Sequence, residues 1–110
     1  MINRYITLPI KQKWYNMILS KIKGEEYREI KSYYTKRLSN LLGIKEDVLI
    51  ERLNSGASYN IDVLFRNGYS SNSPSFMSNC ILRIKEGNIE WGAIKGVKYL
   101  TFEIVNINII

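Results

Sequence analysis

Lys23, Glu26 and Arg28 lie close together in the stretch SKIKGEEYREIKSYY, residues Ser20 to Tyr34. A carboxylate set between two cations has two chemistries open to it. In the first, Lys23 and Arg28 donate to a phosphate or a base edge, the arginine through a planar fork suited to bidentate contact. Glu26 then orients Arg28 or accepts from a base amino group. In the second, the Lys–Glu pair does acid–base work, with Lys23 stabilising developing negative charge and Glu26 moving a proton. The structural alternative is a surface ion pair at the start of a strand, worth about 0–1 kcal/mol. Tyr27, Tyr33 and Tyr34 stand among these charges. Rings beside cations suit base stacking, and they suit equally well packing under short helices with hydroxyls at the surface.

Composition narrows the chemistry. Sixteen Lys and Arg face ten Asp and Glu, a formal charge of +6 in 110 residues. Such a surface attracts nucleic acid, free nucleotide or an acidic protein. No histidine is present, which excludes a histidine-based triad and disfavours structural zinc. The single cysteine, Cys80, sits mid-strand among Phe76, Ile81 and Leu82. It is expected as a small buried hydrophobe, because a catalytic thiolate needs a base. No glycine-rich phosphate loop, dinucleotide fingerprint or zinc signature occurs, so neither cofactor nor metal is expected. No apolar run suits a signal peptide or a membrane span, and a cytoplasmic protein is the simple expectation.

The elements that must position these residues follow from periodicity. RYITLPI alternates as a strand, with Ile6, Leu8 and Ile10 on one face. Trp14, Met17, Ile18 and Ile22 form one helical stripe, with Lys21 and Lys23 off it and Gly24 as a left-handed stop. EEYREIK is a strand with no purely apolar side, so one face is expected to look into a polar cleft. Two short helices follow: TKRLSNLLG, capped by Thr35 and stopped by Gly43, and KEDVLIERLNSG, with Val48, Leu49 and Leu53 facing in. Beyond Ser58 the pattern is β. Ile61, Val63 and Phe65 alternate up to an Asn67-Gly68 turn signal. FMSNCILRIKEG and VKYLTFEIVNI make longer strands, joined by the glycine-punctuated KEGNIEWGAIKG. The order predicts one α+β domain over 1–110 with a curled, mostly antiparallel sheet flanked by short helices. Arg66, Asn67, Gly68 and Tyr69 are candidates for an opposite cleft wall or a plain hairpin turn. Lys11 can add positive potential at the cleft mouth, Lys13 fits a solvated helix face, and Trp91 fits the core.

Taken together, PIKQKWYNMILSKIKGEEYREIKSYY, VLFRNGYS and IEWGA resemble segments of the ASCH domain, a member of the PUA-like superfamily, in its small phage and bacterial form. The resemblance runs through Ile10, Lys11, Trp14, Ile18, Ser20, Lys23, Glu26 and Arg28 and covers nearly the whole chain. It departs at Lys21, where the family usually has a small residue, and in a longer helical segment around 41–55, which fits an inserted helix. Some bacterial members resemble amidohydrolases with a Lys-x-x-Thr-x-Arg motif; here Glu26 replaces the threonine taken as nucleophile. The resemblance implies a curled PUA-like sheet, near a β-barrel, with a cleft between its face and the first helix, where RNA or a nucleotide binds. Lys11, Lys23, Glu26, Arg28, Arg66, Asn67 and Tyr69 are the residues expected there. Two other expectations stand beside it: a hydrolase of RNA or a modified nucleoside using Lys23 and Glu26, and an adaptor whose extra helices contact a host protein.

Overall fold

The structure is a computed structural model and describes residues 4–109. Its elements run β1 (Ile6–Ile10), α1 (Gln12–Leu19), β2 (Glu25–Arg28), α2 (Ser32–Leu42), α3 (Glu46–Asn54), β3 (Tyr59–Asn67), β4 (Ser75–Glu86) and β5 (Lys98–Ile109). A single 3-10 turn, Ile89–Trp91, interrupts the connection between β4 and β5. The strands form one curled, half-barrel sheet in the order β1-β3-β4-β5-β2. β1 pairs with β3 in parallel, and the other neighbours are antiparallel. The expected α+β class with a mostly antiparallel sheet is therefore what forms.

Alternation sets which faces are covered. Ile6, Leu8 and Ile10 of β1 are buried, as are Ile61, Val63 and Phe65 of β3. On β4, Phe76, Cys80 and Leu82 point to the same core, and Leu100 and Phe102 of β5 join them. A bulge between Asn79 and Cys80 shifts the β4–β5 register and bends this long pair. Tyr15 and Ile18 of α1 pack onto the concave face, with the Tyr15 ring edge-on to Phe76 at 5.1 Å.

β1 is an edge strand, and its open side is closed by side chains. Pro9 has no N–H to leave unpaired there. Its carbonyl accepts from Arg28 at 2.8 Å, and the Thr7 carbonyl accepts from Arg37 at 3.4 Å. Arg28 belongs to β2, the opposite edge strand, so one guanidinium ties the two ends of the sheet together.

Local departures from the sequence reading have physical causes. α1 stops at Leu19, and the left-handed residue is Lys21 with φ 64°, not Gly24. The helical stripe therefore cannot be continued to residue 22. Ile22 is 61% exposed, while Lys23, placed off the stripe by its spacing, is 1% exposed. Thr35 is not a cap; it is buried inside α2, with its hydroxyl on Glu46 of α3. Gly43 does end α2, at φ 68°. Leu38, Leu49 and Leu53 from α2 and α3 sit in the same core as the sheet. The segment around 41–55 thus contributes to the domain's core. Asn67 and Gly68 do not make a two-residue hairpin turn. The Asn67 N–H donates to Pro74 at 2.9 Å, which closes a longer loop over 68–74.

Candidate functional site

The main concavity is a cleft of about 730 Å³ between the start of α1, the β2 strand, the turn at 67–69 and the 3-10 turn. β2 supplies its floor. Glu26 and Arg28 lie opposite Phe102 and Leu100 of β5, so alternation turns both toward the concave side. Glu26 is 6% exposed and lies between two cations. One oxygen meets Lys23 at 3.0 Å and the other meets Arg28 at 2.7 Å. Two cations against one carboxylate leave the floor net positive.

The left-handed turn at Lys21 reverses the chain and drives Lys23 beneath the floor. Its ammonium donates to the carbonyls of Glu25 and Trp91, the latter at 3.2 Å, and to Glu26. It also lies over the rings of Trp14 at 5.1 Å and Tyr27 at 4.9 Å. Three oxygens saturate the three donors of an ammonium. Burial lowers the Lys23 pKa, and Glu26 works against that shift. The expectation that Lys23 offers a donor to phosphate, or stabilises charge on a substrate, is corrected here: it is a buried support for Glu26. Glu26, expected as a proton carrier, has both oxygens engaged.

Arg28 does line the cleft. Burial works against its charge, but Glu26 and the Tyr34 hydroxyl outweigh it and hold the guanidinium above its usual value. One terminal nitrogen serves Pro9 and Glu26, and the other reaches the Tyr34 hydroxyl at 3.3 Å. Its Nε is buried without an acceptor among the described residues.

The walls are aromatic. Trp14, Trp91, Tyr34, Tyr69 and Tyr99 all border the cleft. Both tryptophans were expected in the core, and both are only half-buried. Glycine lets them approach: a Cβ on Gly92, which sits at φ 99°, would come 3.1 Å from the Trp14 ring. The Asn88 N–H donates to the Tyr27 hydroxyl at 2.8 Å, and that hydroxyl donates to Glu25 at 2.7 Å. Tyr27 thereby pins the loop that carries Trp91. Gly87 is needed at this contact, because a Cβ there would lie 2.7 Å from the Tyr27 ring.

At the rim, Lys11 is exposed and lines the cleft with Lys31 and Glu29. Lys31 and Glu29 make a loose, exposed pair at 3.9 Å. The Lys13 ammonium lies over the Trp14 ring at 4.6 Å from its centroid. Asn67, Gly68 and Tyr69 form the opposite wall, with Tyr69 90% exposed. Arg66, expected beside them, is not among the lining residues. It pairs with Pro9 and Ser75, one step out of phase with Asn67, so its side chain goes to the outer face of the sheet. Tyr33 is exposed on α2 and packs edge-on against Tyr34.

Cys80 is fully buried, and burial pushes its thiol up to about 12, which suits an inert core residue. Among the described residues no group of three or more His, Cys, Asp or Glu is placed to hold a metal ion. Among the described residues no helix is long and apolar enough to cross a membrane. The missed contributors were Trp14, Trp91, Tyr99 and Lys31; the adjacency of Trp91 to Gly92, and the ready φ > 0 of that glycine, were the available signals. No protein-family model, curated protein or solved structure matches this chain.

Proposed function

We propose that this chain is a PUA-like domain of the ASCH type that binds RNA, or a nucleotide derived from it, in the cleft over β2. The observation that carries the reading is the pairing of aromatic walls with a net positive floor. Trp14, Trp91, Tyr34 and Tyr69 border the cleft that Arg28 and Glu26 underlie. Base–aromatic stacking contributes about 1–3 kcal/mol per base, and cations at the mouth take the phosphates. Lys11 and Lys31 stand at that mouth.

Two further features support the family reading. The half-barrel sheet has its first helix laid against the concave face, with the cleft beside it. Lys21 holds φ 64° at the position where the family usually has a small residue, a conformation that glycine adopts without strain. The residues that bind are Arg28, Asn67, Tyr69, Lys11 and Lys31 with the aromatic walls, while Lys23 and Glu26 hold Arg28 in place.

The test is a titration of a short single-stranded RNA, and of mononucleotides, followed by tryptophan fluorescence at several salt concentrations. Binding is expected to quench the emission, and log K is expected to fall linearly with log salt. Lys31→Ala is expected to weaken RNA binding and to make the slope shallower by about 1. No binding of RNA or mononucleotide at low salt overturns the proposal.

A further inference from the structure

The two ends of the sheet treat their free main-chain groups differently. On β1 the open side is capped by Pro9, Arg28 and Arg37. Among the described residues β5 has no such cover along its second half. β2 pairs only with Leu100 to Glu103, and the Ile104 N–H donates to the Gly24 carbonyl at 2.9 Å. Past that bond no strand among the described residues pairs with β5 on the side away from β4.

Main-chain direction along this half can be followed from its contacts. The Asn106 carbonyl accepts from the Ser78 hydroxyl at 2.6 Å, so it points toward β4. Main-chain groups of successive residues in a strand point to opposite edges. Ile107 and Ile109 therefore turn theirs to the open side. The stretch IVNINI, residues 104–109, holds no charge in a chain of net +6. Ile109 is 73% exposed and Val105 53% exposed. A bare edge that is apolar, uncharged and free of proline is a template for another strand.

We propose that a second copy of this chain occupies this edge, pairing antiparallel through β5 about a two-fold axis at Asn108. Self-complementarity selects that partner. With Asn108 opposite its own symmetry mate, Ile107 of each copy exchanges main-chain hydrogen bonds with Ile109 of the other. The isoleucines then line one face, and the two Asn108 amides meet on the other. This register also leaves the bulge at Asn79/Cys80 outside the paired segment. The net charges of the two domains repel, but the strand between them carries none. An isologous contact of this kind closes on itself and ends at a dimer. The interface is short, at the small, transient end of the size range, so its signature is a concentration-dependent equilibrium.

Sedimentation velocity of the full chain over a micromolar to millimolar series tests this, with Asn108→Lys, Asn108→Glu and an equimolar mixture of the two. Asn108 is exposed, so both variants keep the fold, which circular dichroism checks. Cross-strand neighbours have Cβ atoms about 4.5–5.5 Å apart, and like charges there oppose pairing. The native chain is expected to move from monomer to dimer. Each variant alone is expected to dimerise at least several-fold more weakly, and the mixture to recover the dimer as a heterodimer. A native chain that stays monomeric, variants that dimerise as the native chain does, or open-ended larger species would each overturn the proposal.

Discussion

Two sets of ion pairs flank β2, one on each side of the same strand, and they do different work. On the concave side Glu26 joins Lys23 and Arg28, with side-chain exposures of 8%, 1% and 15%. On the convex side Glu25 meets Lys85 at 2.7 Å, and one strand over Glu103 meets Arg83 with both partners about two-fifths exposed (42% and 37%). The residue types are the same, and the solvent is not. Water screens the Arg83–Glu103 pair, so removing a partner leaves a charge that hydration accepts, whereas Glu25, 15% exposed, is more shielded and also accepts from the Tyr27 hydroxyl. On the concave side the remaining charge has nowhere to go. The concave network is a structural commitment, while the Arg83–Glu103 pair is closer to surface decoration.

The largest effect is expected of Glu26→Ala. It leaves Lys23 and Arg28 buried together without their carboxylate, and a loss of about 3–5 kcal/mol in urea unfolding is expected. The loss should depend on pH. Burial already lowers the Lys23 pKa, and Glu26 opposes that shift. Without Glu26 the folded-state value falls further below the ordinary 10.5. Between those two values the unfolded chain binds more protons than the folded one, so stability rises with pH. The variant should therefore regain part of its loss as pH climbs toward that ordinary value. A loss under about 1 kcal/mol, independent of pH, would put the concave network on the same footing as the convex one.

A middle-sized effect concerns the turn that delivers Lys23. A non-glycine residue in the left-handed region costs roughly 1–2 kcal/mol relative to its helical conformation. Lys21→Gly is expected to recover part of that, raising stability by up to about 1 kcal/mol in thermal unfolding, reduced by the extra freedom of glycine in the unfolded chain. A decrease would mean that the lysine side chain contributes to the turn. The smallest effect belongs to the convex side. Glu103→Gln is expected to change stability by less than about 1 kcal/mol, with the difference shrinking further in high salt.

Much of the architecture was legible in the chain because alternation is a local signal. Ile6, Leu8 and Ile10, and Ile61, Val63 and Phe65, are buried as their spacing requires. Gly43 ends α2, and Leu49 and Leu53 face the core. Pairing partners carry no such local signal, so the parallel match of β1 to β3 and the position of β2 beside β5 were not legible. The site was half legible. Lys23, Glu26 and Arg28 do converge, and Lys11, Asn67 and Tyr69 do border the cleft. Which of them is buried was hidden, because it turns on one backbone reversal at Lys21 that no periodicity announces. Arg66 failed for the opposite reason: alternation decides its face, and the turn motif drew it to the wrong one.

The placement of β1 and β2 also governs how the molecule can be made. Ile6 meets Val63, and Arg28 meets Leu100, so during synthesis β1 and β2 wait for partners encoded far downstream. With synthesis at about 5–20 residues per second, both remain unpaired for roughly 3 seconds or more, and the five-stranded sheet cannot be completed before β5 emerges. Such distant pairing slows folding. The arginine that joins Pro9 to Glu26 acts late in this order of events, as a latch set once β5 is available to dock β2.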